Sequence, residues 1–324
     1  MTKRNIEDFK CPICNKKDIV YNGWIQNKQI YYCKNCKKRF FRSEMKNYNY
    51  DPSIIVNAIS YYNLGKSLSE VVQLINKKYK INLSNNLIYS WITDYYKICN
   101  YKKIRSYIIK NYNGGIIDVF SFKHHNFAYN FMFHKPKLKI LCENYPNLFN
   151  YILKMKELFP SDFFNKDIQH SKFNLDINFR KEGKYNQASR LADFSLKVCD
   201  NNFERHKFVE NFMLINDSST VACEVPIWFW EKYLDIGICG HIDILQIRKG
   251  KIYVLDYKPD DSKDKKEDIA SQLFLYASGL SFRTKIPLMK FRCAWFNQNN
   301  YYEFNPWEQN FSVKFRNKLY FRKI

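Results

Sequence analysis

The run Ile252-Tyr253-Val254-Leu255 stops abruptly at Asp256-Tyr257-Lys258. A strand this apolar is bound for the interior, and an acid and a base at its end need partners if they are partly buried too. The two-residue period of a strand puts Asp256 and Lys258 on one face. A turn at Arg248-Lys249-Gly250 precedes the run, and before it Gly240-His241-Ile242-Asp243-Ile244-Leu245 reads as a second strand. Folded as a hairpin, the pair brings Asp243 across as a third member of the group. Glu224-Val225-Pro226-Ile227 begins a further strand upstream. The bland alternative is a surface hairpin with an incidental ion pair, because Asp-x-Lys alone is common.

The chemistry of the group suits phosphodiester hydrolysis. Paired carboxylates supply hard oxygen ligands for Mg2+ or Mn2+ and leave positions open for a phosphate oxygen and water. Such an ion polarises the phosphorus centre and makes water a better nucleophile. Lys258 can orient that water or stabilise charge in the transition state.

Glu-x-Pro, then Gly-x-x-Asp, then the apolar strand into Asp-Tyr-Lys-Pro, then Gln272-x-x-x-Tyr276 resembles the RecB-type branch of the PD-(D/E)xK nuclease superfamily. The resemblance covers roughly residues 190–300. It implies an α/β restriction-endonuclease-like core, a mixed central sheet flanked by helices. It also implies a catalytic metal site from Asp243, Asp256 and the Tyr257 carbonyl, with Lys258 as the catalytic lysine. Glu224 matches the family's upstream acid, and Gln272 and Tyr276 match the helix beside the substrate. His206, in a helix expected from Glu204 to Leu214, is the best match to the upstream histidine ligand, although the usual small residues before it are absent. Glu210, one turn along, is an alternative acid. Some relatives hold an iron–sulfur cluster with three cysteines after the core; here only Cys293 follows it, so no such cluster is expected. Cys199, Cys223 and Cys239 read as buried thiols, and His241 as a packing residue pointing away from Asp243.

At the other end, Cys11-Pro12-Ile13-Cys14 and Cys33-Lys34-Asn35-Cys36 are separated by 18 residues, Asn15 to Tyr32. Two such knuckles can set four thiolates at the corners of a tetrahedron, the arrangement of structural Zn2+. The intervening residues fit a β-hairpin, with Tyr31, Tyr32 and Phe40 packing around the metal. A redox role would call for a βαβ context that these residues lack.

Three short helices are expected next. The first spans 53–64; Ser67-Leu68-Ser69-Glu70 forms a capping box for the second, and Ser84 caps the third. The third would expose Asn85, Asn86, Tyr89, Ser90 and Thr93, a face suited to DNA in a helix-turn-helix, with Lys102, Lys103 and Arg105 following. A plain three-helix bundle is the alternative. Ribbon and helices together resemble the DNA-binding front end of insertion-sequence transposases, over about the first 100 residues.

Charge supports a polyanionic partner. The chain carries 53 basic and 31 acidic residues, net +22. Residues 1–112 hold 21 of the former and 7 of the latter, so a third of the chain carries most of the excess. No apolar run approaches the ~18 residues of a membrane span, and the polar start gives no signal core, so a cytoplasmic, and in a prokaryote nucleoid-associated, location is expected. The expected domains are a zinc ribbon at 1–46, a helix-turn-helix at 50–112 and a nuclease domain at 116–324, with Asn113-Gly114-Gly115 as linker. Within 116–185, residues from His124 to Phe133 alternate like a strand and Leu138 to Phe159 looks helical; no chemistry is assigned there.

The resulting expectation is a zinc- and magnesium- or manganese-dependent DNA nuclease, an endonuclease acting on double-stranded or branched DNA, with a homodimer favoured if both strands are cut. A DNA-binding regulator on an inactive nuclease scaffold and an RNA-processing nuclease are the alternatives.

Overall fold

A computed structural model describes residues 11, 16–25, 28–41, 50–99, 101–124, 126–165, 177–183, 186–199, 204–231, 236–259, 266–309, 311–315 and 318–322. The chain divides into two compact units, 1–99 and 100–324.

In the first unit, β1 (Ile19–Ile25), β2 (Lys28–Cys33) and β3 (Lys38–Phe41) form an antiparallel sheet in that order. The expected hairpin is therefore present, with its pairing interrupted between Tyr21 and Trp24, where Gly23 adopts φ 92°. Three helices come next: α1 (Pro52–Asn63), α2 (Leu68–Tyr79) and α3 (Asn85–Tyr95). The caps are those read from sequence. Ser67 accepts from the Glu70 amide while the Glu70 carboxylate accepts from the Ser67 amide at 2.8 Å, and Ser84 accepts from the Leu87 amide. Lys80, in a left-handed conformation with φ 53°, ends α2. Val71, Ile75, Ile88 and Trp91 are fully buried between the helices.

The second unit opens with α4 (Lys102–Asn111), whose Ile104 and Ile108 form a small core with Tyr101 and pack on Tyr112, Ile116 and Ile140. This helix, placed with the helix-turn-helix by sequence, thus packs on residues C-terminal to it. Asn113-Gly114-Gly115 is accordingly an internal connection rather than the boundary between units. The chain continues through β4 (Ile117–His124), β5 (Phe127–His134), α5 (Lys135–Leu141), α6 (Pro146–Leu153), α7 (Met155–Leu158) and α8 (Ser161–Asn165). Then come β6 (Arg180–Gly183), α9 (Gln187–Leu196), α10 (Arg205–Asn216), β7 (Thr220–Glu231), β8 (Ile236–Arg248), β9 (Lys251–Tyr257) and α11 (Lys266–Thr284). The strands β10 (Phe291–Phe296), β11 (Asn300–Phe304), β12 (Phe311–Phe315) and β13 (Lys318–Arg322) complete it.

Eight strands form one mixed sheet in the order β4-β5-β7-β8-β9-β10-β11-β6. β9 and β10 are parallel, joined by α11 as crossover, and the other pairs are antiparallel. Side chains such as Val225, Ile227, Leu245, Val254 and Phe291 fill a core closed by α6 and α11. Among the described residues, no helix is long and apolar enough to cross a membrane.

Two expectations for 116–185 are corrected. The alternating aromatics belong to a hairpin rather than one strand, because Asn126 turns the chain with φ 66° between His124 and Phe127. The helical stretch is three helices, interrupted where Pro146 starts a new one and where Lys154 leaves helical geometry.

Candidate active site

The long β7–β8 hairpin and its continuation into β9 place three acids in one row. The β7–β8 register sets Glu224 opposite Asp243, and the β8–β9 register, carried one pair further, sets Asp243 opposite Asp256. β10 pins the far side, where Trp295 pairs with Asp256 and the Lys258 amide donates to the Phe296 carbonyl at 2.9 Å. Asp243 and Asp256 are both buried. The Tyr257 amide donates to Asp243 Oδ2 at 3.1 Å, and Lys258 Nζ lies 2.9 Å from Asp256 Oδ2.

α10 brings two more candidate ligands, His206 and Glu210, to this row. His206 Nδ1 lies 3.2 Å from Glu210 Oε1 and 3.6 Å from Asp243 Oδ2. The ligand atoms of His206, Glu210 and Asp243 all fall within 4.8 Å of one another. Four-residue spacing on a helix is what lets His206 and Glu210 share a face.

The electrostatics are those of a site short of positive charge. Burial, then the neighbouring Asp256 charge, push the Asp243 carboxyl well up, while Asp256 is held down by Lys258 against its own burial. Two carboxyls in contact, one acidic and one basic, behave as a pair sharing a proton. Glu210 is pushed up to about 7 by burial, and its charge and hydrogen bond raise His206 against desolvation. Asp256 Oδ2 and Glu224 Oε2 are buried, each with one close basic neighbour, Lys258 Nζ and His241 Nδ1. Several carboxyl groups buried together are costly, and a divalent cation is one group that could offset that cost. The donor set, carboxylates with one imidazole, is one that Mg2+ or Mn2+ accepts.

The α11 helix supplies Gln272 and Tyr276. Gln272 Nε2 donates to the Tyr276 hydroxyl at 2.8 Å, and Tyr276 is buried against Gly240, where any Cβ would collide with its ring. Glycine in Gly240-x-x-Asp243 therefore makes room for Tyr276.

His241 corrects the sequence reading. Two residues from Asp243 along a strand, it shares that residue's face, and its Nδ1 lies 2.5 Å from Glu224 Oε2 without hydrogen-bond alignment. Glu224 itself has φ 52° in the middle of a strand, a conformation costing roughly 1–3 kcal/mol that tends to persist where surroundings impose it. Tyr129 on β5 lies against His241, with ring centroids 4.1 Å apart. Its phenol is pushed up by burial and then by the charges of Glu224 and Asp243. Sequence reasoning missed this contact; the available signal was the two-residue period applied to His241. Cys223 and Cys239 are buried as expected, whereas Cys199 is partly exposed.

In the first unit, Cys11, Cys33 and Cys36 converge, with Cys11 Sγ 3.6 Å from Cys36 Sγ. Cys14 lies outside the described residues. Sulfurs about 2.3 Å from a tetrahedral ion sit about 3.8 Å apart, so the spacing fits Zn2+. Tyr31 is buried and packs on Tyr21, Tyr32 is half-buried, and the Phe40 side chain lies outside the described residues.

On α3, Asn85, Asn86, Tyr89 and Thr93 are exposed, Tyr89 at 59%. Ser90 and Thr93 spend their hydroxyls on the Leu87 and Tyr89 carbonyls. Lys102 and Lys103 are exposed in the second unit, and Arg105 is half-buried with Nε and Nη1 sealed from solvent. No protein-family model, curated protein or solved structure matches this chain.

Proposed function

We propose that this chain is a metal-dependent deoxyribonuclease with a RecB-type PD-(D/E)xK core, directed to DNA by a zinc ribbon and a helix-turn-helix. One observation carries the reading: His206, Glu210, Asp243 and Asp256, spread over 51 positions of sequence, meet as a buried, cation-deficient cluster with Lys258 beside it. A structural role gives no reason to bury so much like charge in one place.

Asp243, Asp256, His206, Glu210 and the Tyr257 carbonyl would hold Mg2+ or Mn2+. When bound, the ion supplies Lewis-acid activation of the phosphate and a more acidic water. Asp256 fixes the Lys258 ammonium at the mouth of the cluster, where it donates to the attacking water or to a phosphate oxygen as negative charge grows. Glu224, opposite Asp243, adds an acid on the side of His241. Gln272 and Tyr276 line the α11 side.

Cys11, Cys14, Cys33 and Cys36 would hold the structural Zn2+. Asn85, Asn86 and Tyr89 present the exposed face of α3 to DNA, and the net +22 charge supplies phosphate attraction. This arrangement favours internal cutting of double-stranded or branched DNA, a cytoplasmic setting, and a dimer where both strands are cut.

Closed circular and linear DNA incubated with Mg2+ or Mn2+ test the reading. Wild type is expected to cut both, and Asp256→Ala and Lys258→Ala neither. Cutting of linear DNA alone would make it an exonuclease, cutting of RNA alone would move the substrate, and tight binding without cutting would make it a DNA-binding protein.

A further inference from the structure

The β4–β5 hairpin has no role in the proposed metal chemistry, yet it reaches the acid cluster. Tyr129 lies against His241 at 4.1 Å and beside Phe122, with centroids 5.7 Å apart and planes nearly parallel. His241 in turn meets Glu224, which faces Asp243. The phenol ring is thus fixed from two sides, in a row that ends at the candidate metal ligands. The residue is half-exposed, and its hydroxyl has no hydrogen-bond partner among the described residues.

A phosphodiester entering this site meets an acid-lined wall, Asp243, Asp256, Glu210 and Glu224, that supplies few hydrogen-bond donors. The Lys258 ammonium, held by Asp256, serves the attacking water or one phosphate oxygen and leaves the other oxygens in need of a donor. A protonated phenol next to His241 is a donor that adds no charge and needs no rearrangement, since packing has already fixed its ring.

We infer that the Tyr129 hydroxyl donates a hydrogen bond to a backbone phosphate oxygen of the nucleic-acid strand bound at the Asp243–Asp256 centre, which makes the β4–β5 hairpin one wall of the active site. This rests on the nuclease reading.

Tyr129→Phe keeps the ring and removes the hydroxyl alone. Cleavage of a defined oligonucleotide by the full-length protein at saturating Mn2+ is measured alongside its affinity for the same oligonucleotide in Ca2+, by fluorescence anisotropy. The expected result is a kcat at least ten-fold lower, with melting temperature and Mn2+ affinity unchanged and oligonucleotide affinity reduced several-fold. Tyr129→Leu, which also removes the stacking, should lose at least as much. A Tyr129→Phe rate and affinity within two-fold of wild type would overturn the inference. If wild type cuts no nucleic acid, the nuclease reading fails on that result. The binding comparison then decides Tyr129 separately: weaker binding by Tyr129→Phe supports the contact and equal binding refutes it.

Discussion

Cys33 and Cys36 sit either side of one tight turn, and Cys11 reaches them across a single hairpin, whereas His206, Glu210, Asp243 and Asp256 come from a helix and two strands. The thiol cluster stands at the end of a three-stranded sheet too small to bury much, so on the proposed reading a bound Zn2+ would do part of the work of a core. The carboxylate cluster lies inside an eight-stranded sheet that already has a large core, and there the ligands oppose folding, since burying like charges costs stability. Emptying the first site should unfold its surroundings. Neutralising the second should leave the fold intact, or firmer, and remove the chemistry.

The most demanding test of that contrast is Asp243→Asn. It should lower metal-dependent cleavage on the order of a hundred- to a thousand-fold, while raising the melting temperature of the metal-free protein and abolishing the rise that Mn2+ produces. A destabilised Asp243→Asn protein would show that the acids support the fold, and the comparison would collapse. Cys33→Ser is the mirror experiment. It should release zinc and remove the cooperative unfolding of residues 1–99, a loss of several kcal/mol given that structural zinc sites contribute about 10 kcal/mol or more to such small domains. Hydrogen exchange on the full-length protein should show residues 100–324 still protected.

A smaller effect separates the second unit's ordinary buried groups from its site. His134 is fully buried, accepts from the Lys137 amide through Nδ1, and so carries its proton on Nε2, which faces the Tyr101 hydroxyl at 2.6 Å. Burial, then the charge of Lys137, press it down to about 2. A depressed folded value means that the stability it contributes is complete above the unfolded value near 6.5 and is lost as pH falls through that window toward 2. Unfolding free energy should therefore decline by about 1.4 kcal/mol per pH unit well inside the window, and His134→Gln should flatten that limb in acid titrations followed by denaturant melts. The smallest effect belongs to the first unit. Ser67→Ala breaks the capping box and should cost about 1 kcal/mol, read from the denaturation midpoint of residues 1–99.

Where sequence was informative, the signal was local. Asp256 and Lys258 could be placed on one face because strand period is unforgiving, and Ser67 and Glu70 because a capping box is four consecutive residues. His206 and Glu210 were legible as a pair, but nothing in α10 says which strand it will cover. His241 is misplaced by any reading that loses count of that same strand period. Asn126 was the missed turn: a single residue in left-handed geometry, among alternating aromatics on both sides, looks like one more step of a strand. Tyr129 could not be assigned chemistry at all until that hairpin was folded back toward β8.

Gly240 and Gly279 let α11 lie close to the β7–β8 hairpin, the first admitting Tyr276 and the second Ile227 and Phe229. Mutational tolerance around the site should therefore be sharply uneven. In a saturation library selected only for folded protein, neither position would accept even alanine, since the first added carbon already overlaps a packed ring or methyl group. Gly250, with φ 67° and open space around it, would take asparagine freely. The route by which this protein can drift thus runs through its turns, and is closed at the seam that holds the acids in line.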